Sequence, residues 1–440
     1  MFTRRPTLVH VRLLALVLFT AVTALGQEGS MKLARIEVEG LQRLSRDQVI
    51  KLSGLELGQT ADLTAIDAAS QRLMDSGLIK KLAYRIHTTA GQITLTFQIQ
   101  EAQGGDAPVV FDNFVWAADD ELFVAVRRDL PSFNGMIPNT GNLADLITRA
   151  LQLYLSEHKL PGKVEYMPAG DFSGNIRAHI FSVHDITMPV CSVHFPGAKN
   201  VEEARLIKAS KDLMGTDYSR SFGSAFAVSN LFSLYREVGQ LRATFATPSA
   251  KLAGTAACGN GVDVIIPVDE GLIYTWAKAE WSGNEALTSQ ELDAALGMKP
   301  GDVANGLKFD KGLLALRKAY GRKGYIASGL LPHAEFDDAT SKVAYRIEVR
   351  EGPQYHMGQL IVKGFSDNLA AVVRTKWEMR PGDVYDEGFA DEFFKKDFAE
   401  ISRKVFEERR VAGKLPPKFE TRSVPNGKNM SVDVTLEITN

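Results

Sequence analysis

The chain has 440 residues, is 45% apolar, and carries a formal net charge of −2 with two cysteines and eight histidines. A near-neutral chain with no basic block has no general attraction for nucleic acid, and this length calls for several domains rather than one core. Beyond its N-terminal segment, no stretch is long and apolar enough to cross a bilayer as a helix.

The first 26 residues read as a secretory signal peptide. Arg4, Arg5 and Arg12 precede or border an apolar run over 13–22, and Ala24-Leu25-Gly26 places small residues before a cut at Gln27. The run is too short to span a bilayer, and no cysteine stands at the cut. Removing this segment takes away three arginines and no acid, so the charge moves from −2 to about −5. The remainder is expected in an exported, oxidising compartment.

One pattern then recurs along the chain. Over 27–106, Ile36-Glu37-Val38-Glu39-Gly40 reads as a first strand, Gly54 and Gly58 punctuate two helices, Gly77 ends the second, and Ile93, Leu95, Phe97 and Ile99 alternate as a closing strand. Residues 107–188 are divergent: no glycine follows the first strand, an insertion lies around 131–138, Gly162 ends a helix, and Ile176, Ala178 and Ile180 alternate weakly. In 189–271 the marks are Gly197, Gly239, and Val262, Val264, Ile266 and Val268. The clearest copy is 272–353. A strand over 276–281 ends at Gly283, and a helix over 288–296 has Thr288 as N-cap and Glu291 as capping-box partner. Phe309, Leu313, Leu316 and Tyr320 mark a second helix, closed by Gly321 and Gly324. A strand is predicted over 325–331, a turn over 337–340, and a strand through Val343, Tyr345, Ile347 and Val349. Residues 354–440 repeat the pattern with Gly364, Gly413 and Val432, Val434, Leu436 and Ile438. The predicted fold class is α+β: five tandem βααββ units, joined by links as short as Glu351-Gly352-Pro353 and Asp269-Glu270-Gly271 into a semi-rigid elongated rod.

Gly297-Met298-Lys299-Pro300-Gly301-Asp302, Tyr320-Gly321-Arg322-Lys323-Gly324-Tyr325 and Glu351-Gly352-Pro353, with Arg380-Pro381-Gly382-Asp383-Val384-Tyr385 near the end, resemble the motifs of POTRA (polypeptide-transport-associated) domains. The resemblance is to the tandem POTRA arrays of the BamA/Omp85-type outer-membrane assembly family. In that family a transmembrane β-barrel follows the array; here Asn440 ends the sequence two residues after the last predicted strand, so a barrel is not expected within it. The resemblance implies a non-catalytic protein of the periplasm, free or peripheral to the outer membrane. It would bind unfolded outer-membrane or exported polypeptides, a separately encoded barrel, or an assembly-complex protein. The alternative is an architectural spacer that bridges envelope complexes and binds no client.

In the family the second strand of each unit lies at the sheet edge, where an extended peptide can add as another strand. That maps to 82–87, 241–247, 325–331 and 418–422, with Tyr84, Ile86, Leu241, Ala243, Phe245, Ile326 and Ala327 as candidate edge residues. In this topology the first and third strands are parallel neighbours. Cys191, at the start of one, and Cys258, just before the other, are therefore expected to form a disulfide. His179, His184 and His194 lack metal-ligand spacing and read as surface histidines. No nucleophile elbow, P-loop, Rossmann glycine pattern or metalloprotease motif occurs, so neither catalysis nor a cofactor is expected.

Overall fold

Alternating apolar residues make the strands, and glycines with side-chain caps bound the helices. The computed structural model describes residues 31–254 and 258–439; the expected signal segment at 1–26 lies outside them. The chain divides into two compact units, one reaching Val110 and including Asp119–His184, the other comprising Phe111–Ala118 and everything from Asp185 onward.

The first unit opens with β1 (Lys32–Glu39), α1 (Arg46–Ser53), α2 (Leu63–Asp75), β2 (Ile79–Thr89) and β3 (Gln92–Glu101). Then come β4 (Asp106–Phe111), α3 (Asp119–Asp129), β5 (Met136–Pro138), α4 (Leu143–Glu157), β6 (Lys163–Gly170) and β7 (Ile176–His184). The second unit begins with β8 (Val190–His194) and α5 (Glu203–Ala209). A π-turn then links α6 (Arg220–Phe226) to α7 (Phe232–Glu237), followed by β9 (Thr244–Phe245), β10 (Ser249–Leu252), β11 (Val262–Ile265) and β12 (Val268–Asp269). It continues through β13 (Thr275–Ser282), α8 (Ser289–Leu296), α9 (Gly306–Arg322), β14 (Gly329–Asp337) and β15 (Lys342–Arg350). It closes with β16 (His356–Lys363), α10 (Asp367–Lys376), α11 (Phe389–Lys396), α12 (Phe398–Val411), β17 (Lys418–Asn426) and β18 (Ser431–Thr439).

Three sheets share one topology, β1-β3-β2, β13-β15-β14 and β16-β18-β17: the first strand pairs parallel with the third, and the third antiparallel with the second. The sheet β10-β11-β8 follows the same rule, with a small β12-β9 pair beside it; the fifth, β5-β4-β7-β6, has one additional strand. The central strand alternates most cleanly because both neighbours and the helices depend on it. Leu95 and Phe97 in β3, Val343 and Ile347 in β15, and Val434 in β18 are all sealed from solvent. The Thr288–Glu291 capping box forms at α8.

A carboxylate at the end of the third strand fastens the loop that leaves the first. Glu101 accepts from the backbone N–H groups of Gln42 (2.8 Å), Arg43 and Leu44; Glu270 from Lys199 (2.8 Å) and Asn200 (2.9 Å); Glu351 from Glu285 and Ala286, both at 2.8 Å. Burial pushes the Glu101 and Glu270 carboxyls up, but the backbone donors outweigh it and hold both below the usual carboxylate range. At the neighbouring corner Gly40, Gly197, Gly283 and Gly364 take φ of 89°, 96°, 74° and 76°. A Cβ there would strike the carbonyl oxygen of Ile99, Val268, Val349 or Ile438, so only glycine lets the first strand turn this close to the third.

Two expectations follow. Gly283→Ala should destabilise its sheet by more than about 1 kcal/mol, measured by thermal melts. For the carboxylates the depressed folded pKa means that their stabilisation is present above about pH 4.3, the unfolded value, and is lost as pH falls through the folded one. The Tm difference between the parent and a Glu101→Gln, Glu270→Gln variant should therefore narrow on acidification from pH 6 toward pH 3 (calorimetry at several pH values).

Candidate polypeptide-binding edges

A three-stranded sheet has two rims, and their backbone groups are treated differently here. The first-strand rim is covered. The loop between the two helices folds back on the start of the first strand through paired backbone bonds. Leu33 N–H donates to Gln59 O at 2.9 Å, and Gly58 N–H returns to Leu33 O at 2.8 Å. The same exchange joins Val190 to Thr216 and Gly215, Trp276 to Asp302 and Gly301, and Met357 to Asp383 and Gly382. Gly58, Gly215, Gly301 and Gly382 all have φ between 77° and 93°, the left-handed turn that brings the loop back to the strand. This is the physical work of the Pro-Gly-Asp motif at 300–302 and 381–383. In the divergent segment the insertion does the same job by another route: β5 pairs with β4 through Ala107 opposite Ile137.

The second-strand rims, β2, β6, β10, β14 and β17, end their sheets with no further strand paired to them among the described residues. They are not equivalent. Pro168 interrupts β6 and Pro332 β14, Pro425 stands one residue before the end of β17, and a proline offers no backbone N–H to a further strand; β10 spans only four residues. β2 runs for 11 residues without proline. On it Ile86 is exposed, while Tyr84 is half-buried and its hydroxyl donates to Asp67 Oδ1 at 2.6 Å. That bond to a carboxylate, with burial behind it, pushes the Tyr84 phenol up to about 12 and ties the rim strand to α2.

The structure moves several expected edge residues. Ile326 and Ala327 lie in a turn, not on a strand. Tyr325 N–H closes the helix end on Tyr320 O, Ser328 N–H returns to Tyr325 O, and pairing with β15 begins only at Gly329 opposite Arg350. Leu241 is in a turn and packs against the core of the following sheet, and Ala243 is buried just ahead of β9. Phe245 is on a strand, but β9 is two residues long and pairs with β12, because Pro248 separates it from β10. The outermost place of the second strand is what the family resemblance implies; the prolines that blunt several of these strands are themselves visible in the sequence.

Cys191 and Cys258 are joined as a disulfide with Cα atoms 6.2 Å apart. Cys191 is the residue displaced from the ladder where β8 shifts register against β11, between the Val190–Val262 and Ser192–Asp263 pairs. Among the histidines, His184 and His194 are exposed, but His179 is not a surface residue. It is buried on β7 with Nδ1 2.9 Å from the Tyr166 hydroxyl, and burial pushes its pKa down. Among the described residues no group of His, Cys, Asp or Glu converges as a metal site, and no helix is long and apolar enough to cross a membrane.

Family models match one of these sheets with its helices, and the first two strands and helices of another. Residues 274–352 match the POTRA model described as surface antigen variable number repeat, and residues 31–93 match the model described as POTRA domain, FtsQ-type. The chain carries POTRA domains. A protein of Treponema pallidum (strain Nichols), described as an outer membrane protein assembly factor, is 28% identical over 184 residues, 42% of this chain. The match spans about a fifth (20%) of that relative's length. Among solved structures, POTRA3-5 of Haemophilus influenzae BamA is 22% identical with a TM-score of 0.39, covering 57% of this chain and 96% of its own. POTRA1-3 of Anabaena Omp85 is 14% identical with a TM-score of 0.25, covering 57% and 94%. In the POTRA domain at 274–352 the covered rim is β13 and the free rim β14; in the one at 31–93 they are β1 and β2.

The disulfide carries its own test. The native protein should show no reactive thiol before reduction and two after it, and Cys191→Ser with Cys258→Ser should cost about 3–4 kcal/mol in denaturant unfolding.

Proposed function

We propose that this is an exported, non-catalytic periplasmic protein of five POTRA domains, at 27–106, 107–188, 189–271, 272–353 and 354–440. Its role is to hold unfolded outer-membrane or exported polypeptides, or a barrel-bearing assembly partner, during outer-membrane protein assembly. The observation that carries this reading is the asymmetry of the rims: each first strand is covered by backbone pairing, while β2 offers 11 residues of unpaired edge with no proline. An extended chain adding there would be read mainly through its backbone, which suits many client sequences. The likeness to an assembly factor of Treponema pallidum supports the same setting.

A second reading, an architectural spacer, draws support from the joints downstream of residue 185. Tyr274 N–H donates to Gly239 O at 2.9 Å and Tyr355 N–H to Gly324 O at 2.8 Å. Arg236 forms a bidentate pair with Asp310 (2.7 and 2.8 Å), and Arg322 reaches Glu392 at 2.7 Å. Such joints hold consecutive domains in fixed relation, which a spacer needs and a client-binding array can also use.

In-cell photocrosslinking from Ile86 on β2, with Leu331 on the proline-interrupted β14 for comparison, separates the two. Client handling by the rim predicts adducts with outer-membrane polypeptides or assembly proteins, stronger from Ile86 than from Leu331. Adducts only with cell-wall or inner-membrane components, or none from either position, would leave the spacer.

A further inference from the structure

The end of α12 and the loop behind it combine exposed apolar side chains with clustered cations. Phe406, Val411 and Leu415 are 46%, 82% and 70% exposed within ten residues of sequence. Residues 403–418 hold six cations, Arg403, Lys404, Arg409, Arg410, Lys414 and Lys418, against two anions, Glu407 and Glu408, in a chain whose overall charge is −2. Lys404 pairs with Glu400 and Lys418 with Glu420, whereas Arg403, Arg410 and Lys414 have no carboxylate partner among the described residues.

Phe406 stands between two hollows. On one side it joins Phe394, Phe398, Ser402 and Phe419 around an aromatic-walled pocket. On the other it is ringed by Arg403, Arg410 and Lys414, with Glu407. The loop is pinned in place: Arg409 Nε donates to Leu415 O at 2.8 Å, and Lys414 N–H to Arg409 O at 2.9 Å. The hollows are therefore held open rather than left to form on contact, which lowers the ordering cost of binding.

We propose that this surface docks an acidic segment of a partner protein. An apolar side chain of that segment fills the pocket beside Phe406, and its carboxylates lie against Arg403, Arg410 and Lys414. The unpaired cations next to exposed apolar side chains select this occupant by charge complementarity. Recognition is by side chains, those of α12 and its loop with Phe394 and Phe419 beside them, and so differs in kind from addition of a strand to the backbone of β2.

The test is fluorescence anisotropy of the full mature chain with a short labelled synthetic peptide in which Asp and Glu flank a single Phe. Its controls are the same peptide with Lys for the acids and vesicles of phosphatidylglycerol. The acidic peptide should bind at least about tenfold more tightly than the lysine version and weaken with added salt. Arg410→Glu with Lys414→Glu, both on the surface, should weaken it about tenfold with an unchanged thermal melt, and Phe406→Ser should do the same. Equal binding of the two peptides, indifference to the charge reversal, or binding to the vesicles but not to the acidic peptide would overturn the proposal.

Discussion

The parallel pairing of a first strand with a third is the constraint on which the rest depends. A parallel pair cannot be closed by a tight turn, so the chain must travel through a crossover before it returns. Two helices supply that crossover and cover one face of the sheet. The second strand, joined to the third by a short turn, has only the outer position left. One pairing decision thus produces the helical layer, the central alternating strand and the free rim together.

The corner where the first strand leaves the sheet is where that pairing is enforced. Glu101, Glu270 and Glu351 reach back to backbone N–H groups of the departing loop, which would otherwise be poorly satisfied beside the core. Glycine at the same corner lets the two strands approach more closely than any side chain would allow. Glu101 and Glu270, buried and kept ionised by backbone donors, hold their loops more tightly than surface ion pairs can, since surface pairs contribute little.

The rims connect this architecture to function. A free strand edge is a liability, and the molecule manages it unevenly: backbone pairing covers the first-strand side, prolines stand within β6 and β14 and near the end of β17, and β2 is left long and free of proline. Toward the end of the sequence, α12 and its loop instead carry aromatic walls and unpaired cations. The backbone-reading rim and the side-chain-reading surface that we propose thus belong to different sheets.

The α+β class, the parallel first and third strands, the outermost second strand and the Thr288 capping box were all legible in the sequence. The class and the capping box depend on local periodicity or on residues within a few positions of one another, whereas the strand pairing and the outer place of the second strand were implied by the resemblance to POTRA arrays. The glycine at each first-strand corner and the Pro-Gly-Asp loops were legible as marks, but their purpose was not. The carbonyl oxygens and N–H groups they meet come from residues distant in sequence, such as Gly283 against Val349. The same limit misplaced Ile326 and Ala327, decided by the register against β15, Leu241, which packs on the following core, and Ala243, which is buried in the core of its own sheet. It also hid the burial of His179, whose Nδ1 meets the Tyr166 hydroxyl across the β6–β7 ladder. Composition and periodicity determined which elements form and in what order. Tertiary pairing decided which edges are covered, because covering an edge is a contact between backbones that no local pattern encodes.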